Sequence, residues 1–170
     1  MGRAELNIYL LNMERVQGTE SVQLLECTNP RKNLWRIRWD VKISSDGSAT
    51  YMEEELAGKP DPDTIKSLIT GWYNDQIDKQ IVEGFKWNGM QVWLSAENQF
   101  NYKAAYDLAV QTNGATLPVT FKFGNESPLY HKFDTMEELS SFYLSAMTHI
   151  QKTLSDGWIM KDAVDLSIYE

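Results

Sequence analysis

The stretch Glu97-Asn98-Gln99-Phe100-Asn101-Tyr102-Lys103 carries the side chains of this chain best suited to chemistry. Amides offer paired donors and acceptors, aromatic rings offer stacking, and a helix start offers free backbone N–H groups. With Trp93 just upstream, the set Trp93, Glu97, Asn98, Gln99 and Tyr102 makes a candidate contact for a small polar ligand, a carbohydrate or a peptide. Helix-start composition on a solvated face accounts for the same residues and is the plainer reading, because Asn and Ser favour helix caps.

The other tempting residues point to no reaction. Glu53-Glu54-Glu55 with Asp61 and Asp63 suggests a divalent cation. A strand throws successive side chains to opposite faces, so the triplet does not converge on one ion, and solvated charge is expected. His131 and His149 fall on a strand and a helix far apart in sequence, with no helpers for metal binding or nucleophilic catalysis. An enzyme built on Glu97, Asp107 and Asp134 would need two of these carboxylates to meet in a cleft with a raised pKa. Neither GxGxxG nor a Walker-type GK[ST] occurs. Asn125-Glu126-Ser127 matches a glycosylation sequon, but Pro128 follows and no secretory leader is read. The expectation is no enzyme, no cofactor and no metal.

Composition narrows the classes further. With 170 residues, 42% of them hydrophobic, the chain has ample core and should bury roughly 70% of its unfolded surface. The single Cys27 excludes an internal disulfide and a CxxC pair, and beside Leu24 and Leu25 it reads as a structural thiol. The net charge of −8 argues against nucleic acid, whose binding draws on basic patches. Arg31, Lys32, Arg36 and Arg38 form the one basic cluster, and acidic residues on the next strand are expected to pair with it. No apolar run reaches the roughly 18 residues of a membrane helix. The start Met1-Gly2-Arg3-Ala4-Glu5 lacks a basic-then-apolar leader, and Leu6 removes a myristoylation signal, so synthesis in the cytoplasm is expected.

The elements that hold these residues follow from periodicity. Leu34 to Ile43 alternates, with Trp35, Ile37, Trp39, Val41 and Ile43 on one face and Arg36, Arg38, Asp40 and Lys42 on the other. A two-residue Asp46-Gly47 turn would place Ile43 opposite Thr50, Val41 opposite Met52 and Ile37 opposite Leu56. The same register sets Arg38 opposite Glu55, but it also sets Trp39 opposite Glu54 and Asp40 opposite Glu53, which fit poorly. Leu6–Leu11 and Ser21–Cys27 are further candidate strands. Gly58-Lys59-Pro60 breaks the sheet, and Asp61-Pro62-Asp63 opens a helix by capping, fixed φ and dipole complementarity. Its apolar stripe is Ile65, Leu68, Ile69, Trp72, Ile77 and Ile81, with Gly71 inside and Gly84 as the stop.

A hairpin running into a capped helix then occurs twice. Asn88-Gly89 turns between Phe85–Trp87 and Met90–Leu94, and Ser95 caps a helix ending at Asn113-Gly114. Leu117–Phe123 turns through Gly124–Pro128 and returns over Leu129–Phe133. Thr135 and Glu138 form a capping box. Leu139, Phe142, Tyr143, Ala146, Met147, Ile150 and Leu154 keep helical spacing, and Gly157-Trp158 reads as a left-handed cap. The tail Lys161–Glu170 reads as a turn or an edge strand. The fold class is therefore α+β: an N-terminal antiparallel sheet with one helix over 1–83, then two hairpin–helix units over 84–170.

Residues 84–161 resemble a domain family of unknown function found in phage and prophage proteins. The resemblance lies in the strand–Asn88-Gly89–strand entering Ser95, in Leu117-Pro118-Val119-Thr120-Phe121-Lys122-Phe123, and in the long final helix. The segment Val92–Lys103 is similar to uncharacterised prophage proteins of gut-type bacteria. The resemblance implies a tail-associated, non-enzymatic interaction module, either a minor tail component or an assembly chaperone. Phage tail or other virion proteins are then the expected partners, with a homo-oligomer or hetero-complex located in the host cytoplasm or the virion. It carries over no catalytic residue. Trp35, Trp39, Tyr51, Trp72, Tyr73, Trp87, Trp93 and Trp158 exceed what a small core needs, so some are expected at an interface. A small-ligand or carbohydrate-binding module is the alternative.

Overall fold

The computed structural model describes residues 13–124 and 127–169; the expected strand over Leu6–Leu11 lies outside them. The chain divides into two compact units. One runs to Gly71 and includes the chain end from Val164; the other is Trp72–Ala163. The boundary falls within the first helix, α1 (Pro62–Glu83), rather than at its end.

In the first unit, β1 (Glu14–Thr19), β2 (Leu25–Asn29), β3 (Leu34–Ile43) and β4 (Ser48–Ala57) form an antiparallel sheet in the order β1-β4-β3-β2. The strand expected from Ser21 begins only at Leu25, because Val22 N–H turns back onto the Thr19 carbonyl at 3.2 Å.

The β3–β4 register differs from expectation by two residues, each with its own cause. Gly47 N–H donates to the Ser44 carbonyl at 3.1 Å and Ser44 N–H to the Ser48 carbonyl at 2.8 Å, with Gly47 at φ 81°. This is the three-residue hairpin loop, a type I turn closed by a left-handed residue, and it pairs Ile43 with Ala49. The second shift is a bulge between Trp39 and Lys42, where Asp40 takes φ 49°. Asp tolerates the left-handed region better than most residues. Beyond the bulge, Trp39 lies opposite Met52, Ile37 opposite Glu54 and Trp35 opposite Leu56. Two one-residue shifts restore the original faces for Trp35, Ile37 and Trp39. Ile43, separated from them by the bulge, falls with Ala49 on the arginine face and is exposed, so the expected apolar side holds only as far as Trp39.

On the opposite face Arg36 and Arg38 pair with acidic residues as expected, although Arg38 lies opposite Glu53 rather than Glu55. Arg36 reaches Glu53 and Glu55, each at 3.3 Å. Arg38, 5% exposed, meets Glu53 at 2.6 Å and Glu26 at 2.8 Å, and donates to the Gln23 carbonyl at 2.7 Å. Burial works against its charge, but the hydrogen bonds to Glu26 and Glu53 outweigh it and hold the guanidinium above its ordinary pKa. Ile65 and Ile69 of α1 are buried, and a 3₁₀ turn over Ser167–Tyr169 ends the unit.

The second unit contains the two expected hairpin–helix repeats. The ribbon β5 (Lys86–Trp87) and β6 (Met90–Gln91) turns at Asn88 and Gly89, both at positive φ, and leads into α2 (Ala96–Gln111). The ribbon β7 (Val119–Phe123) and β8 (Leu129–Phe133) leads into α3 (Met136–Asp162). Phe142 of α3 is fully buried at the centre of the core. Its ring lies 5.1–6.2 Å from those of Phe85, Trp87, Tyr102, Phe121, Phe123 and Phe133. Such tilted and edge-on contacts are the favoured aromatic geometries.

Two local expectations change. Glu138 N–H donates to Thr135 Oγ1 at 3.2 Å, but the Glu138 carboxylate meets His131 Nε2 at 2.8 Å, so only half of the capping box forms. Gly157 does not end α3, which continues to Asp162. A Cβ built there would overlap Ile77 Cγ1, so this glycine permits close approach to α1 rather than a left-handed cap. Gly71 has open space around it and plays no such part.

Candidate functional site

The start of α2 is built by its own capping residues. Ser95 Oγ accepts from Asn98 N–H at 3.2 Å, filling one of the free donors of the first turn. Asn98 Nδ2 donates to the Trp93 carbonyl at 2.7 Å, and Gln99 Nε2 donates to the Leu94 carbonyl at 2.8 Å. Both amides therefore turn back to fasten the incoming chain to the helix. Trp93 is half-buried and Glu97 is exposed.

Tyr102 points the other way. It is 3% exposed, 4.6 Å from the Phe121 ring and 5.2 Å from the Phe142 ring. Burial pushes its phenol up to about 12, and its hydroxyl has no hydrogen-bond partner among the described residues. Of the five residues singled out from sequence, the structure joins Asn98 to the Trp93 backbone and turns Gln99 onto the Leu94 carbonyl. It leaves Glu97 on the surface and places Tyr102 in the core.

The remaining candidates stay apart. Asp107 pairs with Lys103 four residues before it at 2.5 Å, and Asp134 with Lys132 at 2.7 Å. His149 Nε2 lies 3.1 Å from the Gln80 carbonyl. No group of three or more His, Cys, Asp or Glu suited to a metal ion occurs among the described residues. No helix among them is long and apolar enough to cross a membrane.

The aromatic surface expected from sequence moves. Trp39 and Tyr51 are buried, Trp35, Trp72, Tyr73, Trp87 and Trp93 are half-buried, and of that set only Trp158 is exposed. Other residues supply the exposed apolar area. Phe100, 72% exposed, and Leu108 lie on α2 eight residues apart with exposed Ala104 between them. That spacing puts all three on one helix face. Trp158, Ile159 and Met160 are exposed near the end of α3. The signal for the α2 stripe was present in the sequence as apolar residues every fourth position.

A family profile described as a domain of unknown function, DUF4376, matches residues 66–170. The chain belongs to the DUF4376 family. The DUF4376 match takes in both hairpin–helix repeats and the whole of the second compact unit. It starts within α1, earlier than the 84–161 resemblance drawn from sequence. The DUF4376 description names no activity, and no residue inherits a role from it. Neither a curated protein nor a solved structure matches the chain.

Proposed function

We propose that this DUF4376 protein is a non-enzymatic interaction module of phage origin, acting as a minor tail component or a tail-assembly chaperone. The observation that carries the interaction part is the exposed apolar face Phe100–Ala104–Leu108 on α2. Large apolar side chains grouped on one rigid element are characteristic of protein contact surfaces. The phage assignment rests on the resemblance of residues 84–161 to prophage proteins. The small-ligand alternative draws less support, because the Asn98 and Gln99 amides serve backbone carbonyls.

The test is a tagged pull-down from prophage-induced source cells, with purified particles blotted in parallel. Tail proteins together with signal in the particles are expected of a structural part. Tail proteins without particle signal indicate a chaperone. A Phe100→Asp/Leu108→Asp double variant that folds should lose the partner in either case. Recovery of no virion protein by the wild-type chain would overturn the phage reading. Undiminished recovery by the double variant would overturn the α2 surface.

A further inference from the structure

The middle glutamate of the Glu53-Glu54-Glu55 run is buried, against the expectation of solvated charge. Its neighbours Glu53 and Glu55 project to the arginine face and pair there. Glu54 projects to the apolar face, opposite Ile37 and between Met52 and Leu56 along β4. It is 2% exposed, and its Oε2 has no hydrogen-bond partner among the described residues.

Among the described residues, the charged and titratable groups around it give no counter-ion. On β1, Arg15 shares this face one pair away, opposite Met52, but its guanidinium is bound to Asp40 at the β3 bulge. On β3 the flanking residues are Trp35, Ile37 and Trp39, and on β2 the only titratable group of this face is Cys27, opposite Trp35. At the start of α1 the capping Asp61 and the helical Asp63 and Lys66 are exposed, while Ile65 and Ile69 are buried.

We propose that Glu54 is a proton-operated lock on the four-stranded sheet: the sheet is firm while this carboxyl is neutral and loosens when it ionises. A neutral carboxyl sits in apolar surroundings at modest cost, whereas an unpaired carboxylate there must either find water or displace its neighbours. Burial pushes the Glu54 carboxyl up to about 7 from an ordinary value of 4.5. The folded sheet therefore holds the proton more tightly than an opened one. Stability conferred by the neutral form is complete below the ordinary value, is lost as pH rises toward 7, and changes no further above it.

The experiment is amide hydrogen exchange of β3 and β4 in the full chain between pH 5 and pH 8, corrected for intrinsic rates, beside Glu54→Gln. The wild-type sheet should open on the order of fiftyfold more often at pH 8 than at pH 5, and the Gln variant should stay flat. Parallel behaviour of the two chains would overturn the proposal. A second measurement needs no variant: the Glu54 side-chain carboxyl carbon, followed by NMR in the wild-type chain, should titrate near neutrality. A midpoint in the ordinary glutamate range would overturn the lock even if the Gln variant failed to fold.

Discussion

The Tyr169 hydroxyl donates a hydrogen bond to the Arg38 carbonyl oxygen at 2.7 Å, across 131 positions of sequence. The β2 strand begins at Leu25, opposite Ile37, so the Arg38 carbonyl lies at the end of that ladder. Tyr169, 6% exposed, supplies the donor there and fastens the chain end to the central sheet. The same residue whose side chain links Glu26, Glu53 and the Gln23 carbonyl thus also receives the C-terminal turn.

Tyr169→Phe should therefore destabilise the first unit by about 1–2 kcal/mol, since it leaves a buried carbonyl without that donor. Urea unfolding followed by exchange of the β3 amides would register the loss. Unchanged protection there would mean that the hydroxyl contributes nothing to the sheet.

The two helical glycines should respond to alanine with opposite signs. At Gly71 a methyl meets open space, so Gly71→Ala should stabilise α1 by about 0.5–1 kcal/mol through helix propensity. At Gly157 the methyl meets Ile77, which is 7% exposed. Overpacking of about 1–3 kcal/mol should outweigh the propensity gain there. In an Ile77→Ala background Gly157→Ala should become stabilising. Thermal unfolding of the four chains of that cycle checks the coupling, and additive behaviour would refute the close approach.

How much was legible in the sequence depended on whether the deciding contact was local. The stripe from Leu139 to Ile150 follows a helical period, and its buried members Leu139, Phe142 and Ala146 are core residues as expected. Gly157 was misread because a glycine near a helix end looks the same whether it caps the helix or admits a neighbour. Only Ile77, eighty residues earlier, decides it. The register of β3 and β4 failed at the Ser44–Ser48 loop and again at Asp40, yet a trace of this was present. The pairs Trp39/Glu54 and Asp40/Glu53 did not fit a continuous ladder, and the longer loop and the bulge together replace them, setting Trp39 opposite Met52. At the start of α2, caps and ligand sites draw on the same amides, so composition alone did not separate them.

Tyr102 and Asn98 distinguish the two roles of that helix start. A buried hydroxyl without a partner costs free energy, so Tyr102→Phe should stabilise the second unit by about 1 kcal/mol. Asn98→Ala should cost about 1 kcal/mol by releasing the Trp93 carbonyl. Calorimetry of each variant gives the signs. A loss of stability on Tyr102→Phe would show that the hydroxyl is hydrogen-bonded within the folded core.

The cap of α1 should make its stability depend on acid. Asp61 Oδ1 accepts from Thr64 N–H at 2.7 Å, and this backbone bond is the main reason its carboxyl lies below the ordinary value. A depressed folded value means the carboxylate stabilises the helix above the ordinary pKa and loses that contribution as pH falls through the lowered one. Asp61→Ala should thus lower the urea midpoint at neutral pH, with the gap to wild type closing in strong acid. Asp61→Asn keeps an acceptor without a titrating charge, so its midpoint should lack this acid-dependent component. A gap between wild type and Asp61→Ala that stays constant from neutral pH into strong acid would show that the ionised carboxylate is not what caps the helix.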